Sequence, residues 1–463
     1  MGETAAILRE PFVDQTWYDL ARPAAGLDNG YKLLTPPKEE SDEAFDQFEA
    51  GEIDRPNLRP TSLPDTLPDQ VASLQQAKEA IIQGESDEVL AWAWRWRINE
   101  LLGNAAIANA ALVGDAVRFE RYNYFVYGDV DPAIAALDVA FISDFAEKFL
   151  DDHEPKVRAV AEHLGSRLDQ LQTSHVAAEL TPDADTFQTV QAHQAPYFEQ
   201  LFAGVDLPSE GKVAGDFVWQ ALRQVLQNIN APHRLVPSDT AAMGVVNARA
   251  EFEVPAKPTY SVERFKGLTG HEAKHMLEYI NAQSSRYGLF VLGLDRYEPG
   301  TEGKGVAIER LPYDQPEAFT QLRRQMDILK RHFVVSLATG AYGSKASFDD
   351  IYHTIHHIEI LQQRSADTTR SKDFSILETQ ARKRTRALLR RLLKGTDADM
   401  ASQGATCYRK DMVYAEGEIA WWAAVRRDPR LLDHMDETKY NIANPRHLAI
   451  LSALGAFSME GGK

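Results

Sequence analysis

The stretch GLTGHEAKHMLEYIN, residues 267–281, determines which fold we expect for the C-terminal half of the chain. Ser261 is a suitable N-cap ahead of it, and Glu263 stands in the first turn, where a helix favours negative charge. The stretch predicts a helix with His271 and His275 on one face, because residues four apart are neighbours on a helix. Two interpretations follow: the imidazoles bind one metal ion, or a surface helix carries two histidines on its polar face.

The residues around the first histidine have the H-E-x-x-H pattern of zinc peptidases. In that pattern the glutamate is not a ligand but the general base that takes a proton from water. Glu272 stands at this position. A catalytic zinc site has three protein ligands and leaves one position open. The pattern therefore predicts a third ligand elsewhere in the chain.

The stretch RYEPGTEGKGVAIER, residues 296–310, supplies a candidate for the third ligand. We expect Thr301 to cap a short helix, Glu302 to be the ligand, and Gly303 to leave room beside its carboxylate. Two histidines and a glutamate are the ligand set of thermolysin-like enzymes. Glu309 is the alternative, either as ligand or as the carboxylate that orients a histidine ring. In the competing interpretation, Glu302 only stabilises the N-terminus of its own helix.

A different pattern precedes the histidine helix. Residues 235–258 alternate apolar with small or polar side chains and end near a proline, which predicts one or two short strands. An exposed strand edge can bind an extended peptide through its backbone. We expect Asn247 or Arg249 to lie near the cleft.

Composition excludes several classes of partner. The chain has 463 residues, 44% of them hydrophobic and 25% charged, as in ordinary globular proteins. A net charge of -18 at pH 7 makes nucleic acid and anionic membranes poor partners. Cys407 is the only cysteine, which favours a reducing compartment, and no apolar run reaches membrane-spanning length. We expect a cytoplasmic protein with no signal peptide.

The chain divides into three predicted regions. Residues 1–70 are an N-terminal arm, Pro-rich and acidic, for which the composition of residues 22–70 favours extended, poorly packed backbone. Residues 71–234 form a helical region with amphipathic spacing. Residues 235–463 form the catalytic region.

Several stretches resemble one known family. HEAKHMLEYIN, TEGKGVAIE and CYRKDMVYAEGEIAWW (residues 407–422) resemble, in order, the signature stretches of the microtubule-associated tyrosine carboxypeptidase family. Its bacterial members are known as QEGLA-motif or flavohaemoglobin-expression-modulating proteins. FVYGDVDPAIA, residues 125–135, is similar to a stretch in the family's helical region. The resemblance implies a zinc metallocarboxypeptidase with His271, His275 and Glu302 as ligands and Glu272 as general base.

The chain departs from the family pattern in two places. The family spaces its histidines H-E-x-x-x-H, whereas Met276 stands here at the position of the second histidine. Residues five apart point about 140° apart on a regular helix, so the family spacing requires a local bulge and this chain's spacing does not. Lys304 and Gly305 replace the family's Leu and Ala. We therefore expect a divergent member that keeps a metal site.

A carboxypeptidase also needs a fixed cation or donor for the substrate's C-terminal carboxylate. Lys410, which matches the family motif, and Arg409 are the candidates. Tyr414 is a candidate donor to the oxyanion that develops on the substrate carbonyl. In the competing interpretation, these side chains only form pairs with Asp411 or Glu416.

Two further stretches carry ionisable clusters. His353, His356 and His357 lie in DDIYHTIHHIEIL, and we expect a structural or cleft-lining helix there because no glutamate follows His353. The basic amphipathic stretch RKRTRALLRRLLKG, residues 382–395, is predicted to pair within this acidic protein or with a protein partner.

Together these patterns predict a mostly α-helical α+β protein with a zincin-like catalytic half and a small sheet. The predicted function is a zinc metallopeptidase, a carboxypeptidase acting on the C-termini of proteins or peptides. The alternatives are a non-catalytic binding or regulatory protein on a degenerate zincin scaffold, and a zinc hydrolase of a non-peptide amide. The sequence leaves open the natural substrate, the preferred terminal residue, cleavage at the terminus or within the chain, and the oligomeric state.

Overall fold

The structure, a computed structural model, is mostly helical. It describes residues 11–456 apart from 29, 174–176, 239–242, 316 and 319–322. Helices account for 66% of the protein and strands for 4%, which confirms the predicted α+β class with a large helical majority. Among the described helices, none is long and apolar enough to cross a membrane.

The N-terminal segment is folded onto the rest of the protein. It contains α1 (Gln15–Ala21), a 3₁₀ helix (Arg22–Asp28), α2 (Gly30–Leu34) and α3 (Lys38–Glu49). Leu27, Leu34 and Phe45 are at most 1% exposed, so the prediction of extended, poorly packed backbone here is wrong. The proline composition was misleading because Pro37 lies at a helix boundary, as the N-cap of α3, where proline does not interrupt the helix.

The central region is helical, as predicted. Its helices are α4 (Leu67–Gly84), α5 (Glu88–Val113), α6 (Ala116–Tyr127), α7 (Pro132–Glu147), α8 (Pro155–Leu168) and α9 (Ala184–Leu201). Local signals set several of the helix ends. Asp87 accepts a hydrogen bond from the backbone N–H of Leu90 at the start of α5, and Gly114 ends α5 with a φ of 75°.

Two small sheets lie between the central helices and the histidine helix. The elements are β1 (Lys212–Ala214), α10 (Asp216–Asn228), β2 (Arg234–Ser238), β3 (Gly244–Val246), a 3₁₀ helix (Asn247–Arg249), β4 (Glu251–Pro255) and β5 (Thr259–Ser261). β1 pairs antiparallel with β5. In the other sheet β4 is central, parallel to β2 and antiparallel to β3. The prediction of short strands in 235–258 is confirmed, but the described part of the stretch contains three strands, β2, β3 and β4, and not one or two.

The C-terminal region is again helical. It contains α11 (Val262–Ser284), α12 (Gly288–Leu292), α13 (Glu298–Arg310), α14 (Arg323–Thr339), α15 (Phe348–Ala366), α16 (Phe374–Leu392), α17 (Ala398–Ser402), a 3₁₀ helix (Arg409–Met412), α18 (Val413–Arg427), a 3₁₀ helix (Pro429–His434) and α19 (Pro445–Ala453). The predicted cap of the histidine helix α11 is confirmed, because Ser261 Oγ accepts a hydrogen bond from Arg264 N at 3.2 Å.

Helices α13 and α18 cross at very short range. A Cβ atom on Gly303 would lie 2.1 Å from the carbonyl carbon of Gly417, and a Cβ on Gly417 would lie 2.0 Å from the carbonyl oxygen of Pro299. Only glycine at these positions lets the two backbones approach so closely. Gly303 therefore serves the crossing of two helices, and not the space beside Glu302 for which it was predicted.

The basic helix α16 packs against the acidic helix α3. Arg386 Nη2 lies 2.8 Å from Asp46 Oδ1 and 2.6 Å from Glu49 Oε2, and Arg390 forms an ion pair with Asp42. The basic stretch thus pairs within the protein, one of the two outcomes expected from its sequence.

One hydrophobic cluster joins residues from all three predicted regions. It includes Ala21 and Leu34 from the N-terminal segment, Trp94 from α5, Ile308 from α13 and Trp421 from α18. The elements that carry the candidate site are therefore held by side chains from distant parts of the chain.

Candidate functional site

Three candidate ligands lie together between α11 and α13. One donor atom from each of His271, His275 and Glu302 can be chosen so that all lie within 4.8 Å of one another. His271 Nε2 is 3.0 Å from His275 Nε2 and 3.7 Å from Glu302 Oε2. In the described part of the chain, no other group of three or more His, Cys, Asp or Glu residues is similarly placed to hold a metal.

Glu309 orients the first histidine. Its Oε1 lies 2.7 Å from His271 Nδ1, and the carboxylate is held in turn by Arg324, whose Nε and Nη2 each donate at 3.1 Å, and by Arg264. A proton on Nδ1 of His271 satisfies this contact and leaves the lone pair of Nε2 facing the other two ligands. Of the two roles predicted for Glu309, the structure shows the orienting one.

The backbone of α13 packs directly against the His271 ring at Gly305. A Cβ atom on Gly305 would lie 2.5 Å from both Cε1 and Nε2 of His271. Alanine at this position would therefore collide with the ring in its present place. This arrangement of the histidine therefore requires glycine here.

The electrostatics of the cluster favour a cation. Burial opposes charge on His271, but the carboxylate of Glu302, 3.7 Å from Nε2, and the hydrogen bond with Glu309 raise its pKa to about 10. Burial likewise opposes charge on Glu302, but the neighbouring His271 and His275 lower its pKa to about 2. The carboxylates thus stabilise positive charge at His271, which a proton or a metal ion can supply.

The donor set fits zinc. Ligand atoms about 2.0 to 2.2 Å from a tetrahedral zinc are roughly 3.3 to 3.6 Å from one another. The separations of 3.0 and 3.7 Å from His271 Nε2 bracket that range, and the three donor atoms as a set lie within 4.8 Å of one another. Two imidazoles and one carboxylate leave a fourth position open, as catalytic zinc sites require.

Glu272 lies beside the cluster and contacts the sheet. Its side chain is buried, and burial raises its pKa above the usual value. Oε2 accepts a hydrogen bond from the backbone N–H of Val245 in β3 at 3.0 Å. A carboxyl group with a raised pKa next to the candidate ligands is suited to general acid–base chemistry.

Asn247 links the sheet to the histidine helix. Its Nδ2 donates to the carbonyl oxygen of His275 at 3.3 Å, and its Oδ1 lies 2.9 Å from His233 Nε2. The residue lies near the cluster, as expected. Its contacts are within the protein, so they position the loop after β3 against α11.

Tyr414 lies close to Glu302, at the start of α18. Burial and the nearby Glu302 carboxylate raise its pKa to about 12. The guanidinium carbon of Arg331 lies 5.3 Å from the centre of its ring. Tyr414 therefore keeps its proton at neutral pH and remains a hydrogen-bond donor.

The two predicted carboxylate anchors are already paired. Lys410 is buried and forms an ion pair with Glu298, and its Nζ lies 3.2 Å from the carbonyl oxygen of Asp28. Arg409 is also buried and pairs with Glu120 and Asp129. The competing interpretation held that these cations only form ion pairs, and the structure agrees with it on this point. The partners differ from the expected Asp411 and Glu416.

Sequence reasoning missed the support of the second histidine. His275 Nδ1 lies 3.4 Å from Glu278 Oε2, and Lys304 Nζ lies 2.6 Å from the other oxygen of Glu278. Lys304 also contacts Asp436 Oδ1 at 3.0 Å. Lys304 therefore neutralises acidic groups next to His275. The sequence does carry a signal for the contact between His275 and Glu278: they are three residues apart, and such residues are neighbours on a helix.

The two stretches that resemble the family outside the cluster contact each other. Tyr127 Oη lies 2.6 Å from Tyr408 Oη, and Arg409 Nη1 donates to the carbonyl oxygen of Gly128 at 2.9 Å. Glu416 Oε1 accepts from the backbone N–H of Asp131 at 3.0 Å. The segments 125–135 and 407–422, the second of which contains Tyr414, therefore form one packed unit.

The second histidine cluster does not form a comparable site. His353 is exposed and lies 3.3 Å from Asp349. His356 stacks on Tyr352, and His357 stacks on His163. These contacts fit the structural role expected for this helix.

Comparison of the chain with protein-family models, with curated proteins and with solved structures found no match in any of the three.

Proposed function

We propose that the protein is a zinc metallopeptidase that removes residues from the C-termini of proteins or peptides. His271, His275 and Glu302 are the zinc ligands in this proposal, and Glu272 is the general base. The observation that carries it is the convergence of three donor atoms within 4.8 Å, next to a buried carboxyl group. The resemblance of the signature stretches to a carboxypeptidase family supports the choice of C-terminal substrates.

The strand beside the cluster supports a zincin-like arrangement. β3 contacts the histidine helix through the hydrogen bond from Val245 N to Glu272 Oε2. A strand edge beside the general base can align an extended peptide by backbone hydrogen bonds. Zincin-like architecture is accordingly part of the proposal.

Each side chain has a defined task in the proposed reaction. Zinc, when bound, supplies Lewis acidity toward water and the substrate carbonyl. Glu272 accepts the proton of the attacking water at Oε1, because Oε2 is engaged by Val245, and later donates it to the leaving amine. Tyr414 donates its phenolic proton in a hydrogen bond to the oxygen on which negative charge develops.

A second candidate function is a non-catalytic binding protein. Two observations favour it: Glu272 accepts a hydrogen bond from a backbone amide, and both predicted carboxylate anchors are ion-paired. A zinc hydrolase of a non-peptide amide would use the same chemistry, since the cluster activates water whatever acyl group is bound.

The test is the variant Glu272→Gln, which keeps the volume of the side chain and the ligand set. Purified wild-type protein and this variant should both contain about one zinc per chain by elemental analysis. With a library of peptides of varied C-terminal residues, read by mass spectrometry, the variant should lose about 10²- to 10⁴-fold in turnover. Glu263→Gln, the same substitution nine residues earlier in α11, is the matched control and should retain activity.

The outcomes separate the candidates. Release of single C-terminal residues by wild type and by Glu263→Gln, but not by Glu272→Gln, supports a carboxypeptidase. Cleavage within the peptides indicates an endopeptidase with the same chemistry. Folded wild-type protein without metal, or equal behaviour of wild type and Glu272→Gln on every substrate, overturns the catalytic proposal in favour of a binding protein.

A further inference from the structure

A small cavity lies near Tyr414, because Arg331, one of its lining residues, has its guanidinium carbon 5.3 Å from the centre of the Tyr414 ring. Its volume is about 220 Å³, and it is lined by residues of α14, α15 and α16. We call it the arginine pocket, after Arg331, Arg384 and Arg391, which line it together with Lys330 and the carboxylates of Asp327 and Glu359. A concentration of positive charge is unusual on a protein whose net charge is -18.

The charges in the arginine pocket are unequally neutralised. Lys330 contacts Asp327 at 3.0 Å and also pairs with Glu359. Arg331 and Arg391, in contrast, share the single carboxylate of Asp411, at 3.5 and 2.7 Å from its Oδ1.

Asp411 itself is fully buried and can neutralise only one of these guanidinium groups. Arg331 has no other acidic partner in the described part of the chain. Burial and the neighbouring charge of Arg391 lower the pKa of Arg331, as expected for two cations held together. A further anion in this cavity would relieve that repulsion.

The arginine pocket is connected to the candidate zinc cluster through one side chain. The guanidinium of Arg331 lies over the ring of Tyr414, 5.3 Å from its centre. The hydroxyl of the same tyrosine lies in the field of Glu302, which is the main charged neighbour that raises its pKa. Tyr414 is therefore a neighbour both of a ligand of the cluster and of an arginine whose charge is incompletely neutralised.

We propose that Arg331 and Arg391 bind the α-carboxylate of the substrate's last residue, while Tyr414 and the cluster act on the bond that precedes it. Guanidinium groups suit this task because they bind carboxylates through two parallel hydrogen bonds. This inference rests on the proposed carboxypeptidase function. It assigns to the arginine pocket the anchoring task that the sequence predicted for Lys410 and Arg409.

The first experiment compares two peptides that differ only at the C-terminus. Wild type should cleave Ala-Ala-Ala-Tyr with a free carboxylate and act poorly on the same peptide with a C-terminal carboxamide. In Arg331→Gln, kcat/KM for the acid should fall about 10- to 100-fold, mostly through KM, while the amide is unaffected. Lys383→Gln, an exposed cation of α16 outside the cavity, is the control and should behave as wild type.

Arg331 is chosen because Asp411 retains Arg391 as a partner when Arg331 is replaced. A thermal melt compares the folding of all variants. Arg331→Lys keeps the positive charge but cannot form the two parallel hydrogen bonds of a guanidinium. Its activity on the acid should therefore lie between that of Arg331→Gln and that of wild type. Equal rates on acid and amide in wild type, or full activity of Arg331→Gln on the acid, overturn the assignment.

The second experiment is independent of turnover. Calorimetry on Glu272→Gln protein measures binding of N-acetyl-tyrosine, N-acetyl-tyrosinamide and inorganic phosphate. Binding of the acid but not the amide, weakened at least tenfold by adding Arg331→Gln, supports the carboxylate site even if no peptide is cleaved. In that case only the proposed enzymatic function fails. Phosphate binding as strong as that of the acid indicates a general anion site and overturns the assignment to a substrate carboxylate.

Discussion

The Nδ1 atom of His271 lies 2.7 Å from Oε1 of Glu309, and this contact determines which face of the imidazole meets the other candidate ligands. Glu309 is fully buried, and its carboxylate is held in place by hydrogen bonds from two arginines, Arg264 and Arg324. A histidine ring oriented in this way loses little freedom when it binds a metal.

Replacing Glu309 with Gln should weaken zinc binding. An amide is a poorer acceptor than a carboxylate for the Nδ1 proton, and loss of such an orienting group lowers metal affinity by about 10- to 100-fold. Chelator competition measures the affinity. Glu418→Gln is the control, because Glu418 is another buried carboxylate paired with an arginine, Arg310. That variant should lose stability and keep its zinc affinity; equal zinc affinities in the two variants would contradict the orienting role.

Gly305→Ala should disturb the His271 ring. The new Cβ would lie 2.5 Å from the ring, so ring and backbone must separate, at a cost of about 1 to 3 kcal/mol in the free energy of unfolding. Zinc affinity should fall with it. Gly165→Ala in α8 is the control, since its Cβ meets nothing within 4 Å and a helical alanine adds about 0.5 to 1 kcal/mol. Urea denaturation and chelator competition measure both; unchanged zinc affinity in Gly305→Ala would show that the ring tolerates the methyl group.

His357 should make the protein sensitive to acid. Burial, together with the charges of His356, His353 and His163, lowers its pKa from 6.5 to about 4. The unfolded chain therefore binds this proton more readily, and stability present at pH 7 is lost as the pH falls through 6.5 toward 4.

Between pH 7 and pH 5 the loss due to His357 is about 2 kcal/mol. His357→Gln should remove that part of the pH dependence in urea denaturation, whereas His353→Gln on the exposed face of α15 should retain it. An identical loss of stability in wild type and His357→Gln would mean that other groups cause the acid sensitivity.

Asp14→Ala should destabilise the protein although it lies far from the cluster in sequence. The Asp14 carboxylate accepts hydrogen bonds from the backbone N–H groups of Gly288 and Leu289, at 2.6 and 3.0 Å, and from the Trp94 indole at 2.8 Å. Removing it leaves buried donors without acceptors, which should cost about 3 kcal/mol in urea denaturation. Asp19→Ala, at an exposed position of α1, the helix that Asp14 precedes, is the control. Equal stability of the two variants would show that the N-terminal segment contributes little.

Local signals in the sequence were enough to predict the histidine helix and the position of its two histidines on one face. Ser261 caps α11, and the spacing of His271 and His275 aligns their imidazoles. Both features could be predicted because each depends on residues close together in the sequence. Glu302 was predicted as a candidate ligand from the stretch 296–310, and it lies with the two histidines in the structure. Its helix begins earlier than predicted, at Glu298, because Pro299 suits the first turn, so Thr301 lies inside α13 and is not its cap.

The partners of the buried charges were decided by tertiary structure alone. Lys410 pairs with Glu298, Lys304 with Glu278, and Arg331 shares Asp411 with Arg391. With 68 acidic side chains in the chain, the sequence offers each of these cations many equivalent partners. Burial makes an unpaired charge costly, and only the packing of distant helices determines which carboxylate is within reach.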